Sequence, residues 1–140
     1  MGSLVAKDKD MLQLEGKVAL VTGAGRGLGQ ACARIFAREG ARVAVNYASN
    51  DAKAARVVIV DLDRGNGEQT VDLIRSDGGE AIFVEADVGT SADIQRMVDT
   101  AVETFGGLDC AINNAVCNIG RAPLADIDEA DWDRAAAVNI

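Results

Sequence analysis

A glycine-rich turn near the start of the chain carries the clearest chemistry in the sequence. It reads T-G-A-G-R-G-L-G, and its spaced glycines are Gly23, Gly27 and Gly29. An apolar run at residues 18–21 predicts a buried strand before the turn, and a helical apolar pattern follows at residues 28–39. Bare N–H groups at a helix N-terminus attract phosphate through fixed donors and the helix dipole. The turn therefore predicts a phosphate site, although alone it fits a mononucleotide, a methyl donor or no ligand.

A carboxylate farther along the chain is the next group that a dinucleotide would need. In dinucleotide-binding folds, an acidic residue about 20 residues after the glycine turn accepts hydrogen bonds from ribose hydroxyls. Counted from Gly29, Tyr47 lies 18 residues on and Asp61 lies 32 residues on. Spacing therefore favours Tyr47 for this position, whereas chemistry favours Asp61.

The two candidates end two similar segments. The first copy, residues 41–47, reads A-R-V-A-V-N-Y, and the second copy, residues 55–61, reads A-R-V-V-I-V-D and starts 14 residues later. Too few residues separate them for a parallel crossover, which indicates a local duplication or a junction between related sequences. The alternative is a long loop that happens to resemble a strand. Because the second copy has more apolar surface to bury, we expect it in the central strand, with residues 41–54 extruded as a loop.

The elements that must position these groups alternate along the rest of the chain. Alternating strand and helix patterns are typical of a parallel sheet with helices on its faces. The capping-box sequence T-S-A-D, from Thr90 to Asp93, predicts the start of one helix, and Asp128 is expected to be the N-cap of another. The predicted elements after the second copy are a helix at about 68–75, a strand at 81–86, a helix after Thr90, a strand at 108–112 and a helix after Asp128.

Composition narrows the class of protein. The chain has 140 residues, of which 49% are apolar, and its net charge is −8 without a basic cluster. We therefore expect a globular domain that binds neither nucleic acid nor an anionic membrane. The absence of histidine excludes histidine triads, and the three cysteines form no metal-type pair, so no metal site is predicted. No apolar run reaches membrane-spanning length, and a cytoplasmic location is the default expectation.

Four motifs occur in a fixed order. They are T-G-x3-G-x-G at residues 22–29, Asp87-Val88 after a strand, Asn113-Asn114-Ala115 after the next strand, and W-D-x4-V-N at residues 132–139. Together they resemble the short-chain dehydrogenase/reductase family over residues 14–140, apart from the repeat. A methyltransferase of similar fold is a weaker alternative, because the asparagine motifs count against it.

The resemblance implies an α/β fold, a Rossmann-type three-layer αβα sandwich with a parallel sheet. In this chain the fold is expected to be truncated and to carry a duplicated second-strand segment. The expected organisation is a flexible N-terminal arm at 1–13 and a partial dinucleotide-binding domain at 14–140, with 41–54 as an inserted or duplicated segment.

The resemblance also assigns the motif residues to a cofactor. The residues implied to line the pyrophosphate and adenosine ribose are Gly23, Arg26, Gly27, Leu28 and Gly29. Asp87 and Val88 would meet the adenine, and Asn114 and Ala115 would border the nicotinamide ribose. Taken alone, Asp87 would be better explained as the cap of a loop, and it is the ordered set of motifs that favours the adenine.

Two further asparagines are assigned roles by the same resemblance. Asn113 would brace neighbouring strands by hydrogen bonds. Asn139 matches the family's catalytic-site asparagine, which helps to hold a proton-relay water near the active lysine, although alone it fits a helix end. The family usually has glycine where this chain has Val116, so nicotinamide placement is expected to be disturbed.

The cofactor signals conflict. Asp61 resembles family members that use NAD, because a carboxylate accepts from a free 2′-hydroxyl and repels a 2′-phosphate. Arg26 resembles members that use NADP. We therefore expect NAD if Asp61 ends the second strand, and NADP if Tyr47 does.

The family's proton-transfer residues, a serine and a Tyr-x3-Lys pair, are absent from these 140 residues. The sole tyrosine is Tyr47, and no lysine follows Lys53. The chain therefore resembles the NAD(P)-binding portion of an enzyme that moves hydride between nicotinamide and a carbonyl or alcohol, and alone it is expected to be inactive. Such a substrate, and the family's usual homo-oligomer, would belong to an intact enzyme. The alternative is a non-catalytic nucleotide-binding module or regulator.

Overall fold

The computed structural model describes residues 12–41, 56–119 and 123–140. Strands and helices alternate along these residues, as their apolar periodicities predict. In chain order the elements are β1 (Val18–Thr22), α1 (Gly27–Arg38), β2 (Arg56–Asp61), α2 (Arg64–Ser76), β3 (Glu80–Glu85), α3 (Ser91–Phe105), β4 (Cys110–Ile112), a short 3-10 helix (Leu124–Asp126) and α4 (Glu129–Asn139).

The four strands form one parallel sheet in the order β3-β2-β1-β4. Every residue of β1 is buried, as expected for a central strand covered on both faces. On one face, Val21 and Ile59 pack with apolar residues of α1 and α2, and on the other Leu20 and Val58 pack with α3. The fold is therefore the predicted Rossmann-type αβα sandwich.

The second copy of the repeat fills the strand position beside β1. Residues Arg56 to Val60 pair with Val18 to Thr22 in parallel register, and the side chains of Val58, Ile59 and Val60 are fully buried. The expectation for the second copy is thus confirmed. Most of the first copy, including Tyr47, lies outside the described residues, as do nearly all of the segment expected to be extruded and most of the predicted arm.

One helix start and one capping interaction differ from prediction. Helix α2 begins at Arg64, before the predicted residue 68, because the side chain of Asp63 caps it by accepting from the Asn66 N–H at 3.0 Å. The capping box predicted at Thr90 does not form. Thr90 Oγ1 donates to the Asp87 carbonyl at 3.2 Å, and Asp93 Oδ2 accepts from the Asp87 N–H at 2.8 Å. These two side chains hold the loop before α3. In a capping box, each would instead accept from the backbone N–H of the other residue.

Helix α4 is held differently from the other helices. Its predicted N-cap is confirmed, since Asp128 Oδ1 accepts from the Asp131 N–H at 2.8 Å. None of its residues is buried, and Trp132 is 56% exposed. Polar contacts therefore matter more for its attachment than apolar packing does. No helix in the described ranges is long and apolar enough to cross a membrane.

Candidate functional site

A cavity of about 530 Å³ lies where the carboxyl ends of the strands meet the glycine turn. Ligands of open parallel sheets bind at this edge, because the loops that leave the strands converge there. The turn, the segments that follow β2, β3 and β4, and helix α4 all contribute to its wall. The lining residues are Gly23, Arg26, Gly27, Val60, Asp61, Leu62, Ala86, Asp87, Val88, Asn114, Ala115, Val116, Cys117, Asn118, Arg134 and Val138.

The glycines of the turn meet different steric demands. A Cβ on Gly23 would lie 2.9 Å from the Ala115 Cα, and a Cβ on Gly29 would collide with the Gly23 carbonyl and the Asn114 amide. Gly27 has a φ of +58°, and a Cβ placed on it would meet no atom of the described ranges within 4 Å. Packing thus requires Gly23 and Gly29, whereas Gly27 leaves open space.

Helix α1 begins beside that open space. Its N-cap residue is Arg26, whose side chain makes no capping hydrogen bond within the described part of the chain. The first N–H groups of a helix lack partners inside the helix, so uncapped ones are available to a ligand. The helix dipole makes this end partly positive, and an anionic group is the ligand that it favours.

Asp61 lies at the end of β2 and lines the cavity. Its Oδ2 accepts from the Gly25 N–H at 2.8 Å, and its Oδ1 accepts from the Asp63 N–H at 2.9 Å. From the end of β2, the carboxylate therefore holds the glycine turn in place through Gly25, a role that the sequence reasoning missed. Each oxygen has a second lone pair that remains available to a ligand hydroxyl.

Asp87 follows β3 and is held by two donors. Its Oδ1 accepts from the Gly89 N–H at 2.8 Å and from Arg134 Nη1 at 2.9 Å. The Gly89 N–H and, after it, the Arg134 guanidinium lower the pKa of this carboxyl from its ordinary value. Asp87 is therefore an anionic acceptor at neutral pH. Arg134 reaches it from α4, and no sequence motif read for chemistry had singled this residue out.

Asn114 performs the bracing that was predicted for Asn113. Its Nδ2 donates to the carbonyls of Thr22 and Gly23 at 3.0 and 3.1 Å, and its N–H donates to Thr22 Oγ1 at 2.9 Å. Asn113 is exposed instead. The reason is alternation: successive side chains lie on opposite faces of the sheet, and Asn114 follows Ile112 onto the face that α1 covers. Asn114 and Ala115 both line the cavity.

Three of the eleven predicted site residues lie outside the wall of the larger cavity. Leu28 and Gly29 do not line the cavity, and Leu28 is 73% exposed. Asn139 lines a second cavity of about 330 Å³ beside the first. Its side-chain amide is paired with the backbone of Cys117, accepting from the N–H at 3.0 Å and donating to the carbonyl at 2.9 Å. The remaining eight predicted residues share the larger cavity.

Within the described ranges, no cluster of three metal-ligating side chains occurs. The thiols of Cys32, Cys110 and Cys117 are free and only partly buried. Val116, which replaces a glycine of the family pattern, is 76% exposed and lines the cavity.

Comparisons with known proteins show which family the chain resembles. A family model described as short chain dehydrogenase matches residues 17–58 and 51–140. The chain is 40% identical to an uncharacterized oxidoreductase of Thermotoga maritima, over 92% of this chain and 45% of that protein. It is 38% identical to glucose 1-dehydrogenase 2 of Bacillus subtilis, over 91% and 44% respectively. The chain thus spans less than half the length of these relatives.

Solved structures share the architecture. A metagenomic short-chain oxidoreductase in complex with NADP superposes with a TM-score of 0.77 at 32% identity, over 91% of this chain and 51% of that chain. A short chain dehydrogenase/reductase from Burkholderia phymatum in complex with NAD gives a TM-score of 0.77 at 35% identity, over 91% and 40%.

Proposed function

We propose that this chain, which belongs to the short-chain dehydrogenase family, binds a nicotinamide dinucleotide in the 530 Å³ cavity at the edge of its sheet. The observation that carries the proposal is the uncapped start of α1, which opens onto the cavity beside Gly27. A pyrophosphate is the part of a dinucleotide that suits this position.

The residues along the cavity fit the other parts of such a ligand. Asp61 offers carboxylate lone pairs to the adenosine ribose, and Asp87 with Val88 offers an acceptor and an apolar surface to the adenine. Asn114 and Ala115 border the far end, where the nicotinamide ribose is proposed to lie. We extend the proposal to Leu28 and Gly29 through their backbone N–H groups, which belong to the first turn of α1.

NAD is the proposed cofactor. Asp61, and not Tyr47, ends the described second strand, and its carboxylate stands in the cavity wall. A carboxylate accepts from a free 2′-hydroxyl and repels a 2′-phosphate. Arg26 lies in the same wall and is the charge that would favour NADP, so the preference rests on which of the two charges is nearer the ribose.

The proposed reaction of the protein is hydride transfer between nicotinamide and a carbonyl or alcohol. The bound dinucleotide would supply the hydride or accept it. The described residues would hold and orient that cofactor. Proton transfer would require the family's catalytic serine and a Tyr-x3-Lys pair, and the Tyr-x3-Lys pattern does not occur in these 140 residues. Asn139 as holder of a proton-relay water stays a prediction, and its amide is already paired with Cys117.

A second candidate is a nucleotide-binding module without catalysis of its own. Among the described residues that line the cavity there is no serine, tyrosine or lysine, so the cavity itself offers groups for binding a nucleotide rather than for proton transfer. Isothermal titration with NAD and NADP tests the binding that both candidates share, and we expect saturable binding with NAD the tighter ligand. No binding of either dinucleotide to folded protein would contradict the proposed function.

A further inference from the structure

Arg134 is the residue of α4 that reaches the cofactor cavity with a charged group. We propose that Arg134 is a positioning residue for adenine: it holds one oxygen of Asp87 so that the other oxygen accepts from the exocyclic amine of the base. The inference rests on the proposed function, because it requires a dinucleotide in this cavity.

The hydrogen bonds of Asp87 are divided unequally between its oxygens. Oδ1 accepts from both Gly89 N–H and Arg134 Nη1, whereas within the described ranges no donor bonds Oδ2. Because two donors from different directions hold Oδ1 and the carboxylate is planar, the same contacts restrict the direction of Oδ2. The free oxygen therefore has a defined orientation in the wall of the cavity, which a single flexible contact would not give.

The backbone near Asp87 is shaped around the guanidinium. A Cβ added to Gly89 would collide with Arg134 Nη1 and lie 3.1 Å from Asp87 Oδ1. Since Gly89 has no positive φ, its backbone would accept other residues. The space that its missing side chain leaves is the space that Arg134 occupies.

A purely structural role for the ion pair explains it less well. The side chains of Arg134 and Asp87 are 38% and 28% exposed, and exposed ion pairs contribute little to stability. A second ion pair, Arg34 with Asp77, has a similar distance of 2.8 Å and similar side-chain exposures of 32% and 30%. Neither residue of this pair lines the cavity. What distinguishes the Arg134 pair is its place in the cavity wall.

Adenine is the ligand group that fits a free carboxylate oxygen beside Val88. Its ring edge presents one donor, the exocyclic amine, next to ring-nitrogen acceptors. Hypoxanthine has the same ring with a carbonyl oxygen in place of the amine, so the carboxylate would face an acceptor. Nicotinamide hypoxanthine dinucleotide is therefore the probe that isolates this single contact.

The test compares the dissociation constants of NAD and of nicotinamide hypoxanthine dinucleotide by isothermal titration. The wild-type protein is expected to bind NAD about tenfold more tightly, as a hydrogen bond to a charged group predicts. Arg134→Met should reduce this ratio to near one, because Asp87 loses its fixed direction. Arg34→Met is the matched control and should leave the ratio unchanged.

The ratio separates positioning from a general loss of structure. A structural role for Arg134 would weaken both dinucleotides equally, and an unchanged ratio in Arg134→Met would overturn the inference. Equal binding of both ligands by the wild type would also overturn it while leaving the proposed function intact. If the folded wild type bound neither dinucleotide, the proposed function would fail and the inference with it.

A second variant disrupts the contact between Arg134 and Asp87 while leaving both charged side chains in the protein. Gly89→Ala introduces a methyl group where Arg134 Nη1 lies, so the guanidinium must move away from Asp87. We expect the NAD preference to fall in this variant as in Arg134→Met. A cooperative thermal transition in each variant confirms that the protein remains folded, and a full NAD preference in Gly89→Ala would contradict the proposal.

Discussion

Single residues in the glycine turn divide between packing and the proposed binding of a ligand. Gly29 is enclosed by the Gly23 carbonyl and the Asn114 amide, so any side chain there would disturb the turn itself. Gly27 combines a φ of +58° with open space in the described part of the chain. Its hydrogen atom therefore leaves room next to the helix N-terminus, where a phosphate would approach.

Gly27→Ala is expected to weaken dinucleotide binding more than tenfold, because a methyl group would enter that space. The positive φ should also cost about 1–2 kcal/mol of stability. Gly78→Ala is the matched control, since Gly78 has a φ of +86°, is equally unobstructed and lies after α2 outside the cavity wall. Chemical unfolding and isothermal titration of both variants separate the two effects. Equal NAD affinities in the two variants would argue against a phosphate at Gly27.

Asp61→Asn is expected to shift cofactor preference toward NADP by about tenfold or more, because the repulsive charge is removed while an acceptor oxygen remains. The measurement is the ratio of NAD and NADP dissociation constants. Asp63→Asn serves as the control, since Asp63 caps α2 and does not line the cavity. A ratio that stays the same in Asp61→Asn would mean that the ribose lies elsewhere.

Asp109 makes stability depend on pH. Its Oδ2 accepts from the Val18 N–H at 2.8 Å and its Oδ1 from Lys17 Nζ at 3.2 Å, and these donors, the Val18 N–H first, lower the pKa of the carboxyl. The folded state therefore binds this proton less readily than the unfolded chain. The contribution is present above the unfolded pKa of about 3.9 and is lost as pH falls through the lower folded pKa.

Asp109→Asn tests this assignment by urea unfolding at a series of pH values. The variant should be less stable than wild type at pH 7, and the difference should shrink as the pH falls below about 4. A difference that stayed constant down to about pH 2.5 would show that the charge of Asp109 does not support the start of β1.

At the scale of elements, two similar segments compete in sequence for one strand position, and physical chemistry decides between them. Val60 is fully buried, and the equivalent residue of the first copy is Asn46, whose amide would lose its water there. Asp61 caps the glycine turn through Gly25, whereas Tyr47 has no carboxylate to do so. Both differences favour the second copy.

Ile59→Ala should lower the free energy of unfolding by about 2–5 kcal/mol, because Ile59 is fully buried between β1 and β3. Val45→Ala, at the equivalent position of the first copy, is the comparison. If residues 41–54 are extruded, as predicted, its cost should stay below about 1 kcal/mol. Equal destabilisation by the two changes would contradict the extrusion of the first copy.

Periodicity and turn chemistry in the sequence predicted most of the elements. Strand β1, helix α1 and the Asp128 cap followed from local patterns that tertiary contacts do not alter. The start of α2 was placed too late, because Gly65 and Gly67 weaken its helical pattern while the Asp63 cap compensates.

Several hydrogen bonds of the site, at both short and long sequence separation, were beyond sequence reasoning. Thr90 and Asp93 have the spacing of a capping box, yet both bind the backbone of Asp87, which arrives from the preceding strand. The interaction of Arg134 with Asp87 joins residues that are far apart in sequence, and only the fold brings them together. The site could therefore be predicted as a set of motif residues but not as a hydrogen-bond network.

At the scale of the whole molecule, this chain carries the edge of the sheet at which a dinucleotide is proposed to bind. Four parallel strands, the glycine turn and the start of α1 converge there, and α4 adds Arg134 from outside the sheet. A ligand that spans these elements can bind the folded chain but not the unfolded chain, so it should stabilise the folded state by mass action. Binding is expected to depend on this convergence and not on any one side chain.

A titration of isotope-labelled protein with NAD, followed by amide NMR, is the most direct test. We expect the N–H signals of residues 23–29 to shift with the ligand and to saturate, with smaller changes at the surface pair Arg34 and Asp77. If those turn signals stay in place in a folded sample at saturating NAD, no pyrophosphate binds at the start of α1, and the central claim is wrong.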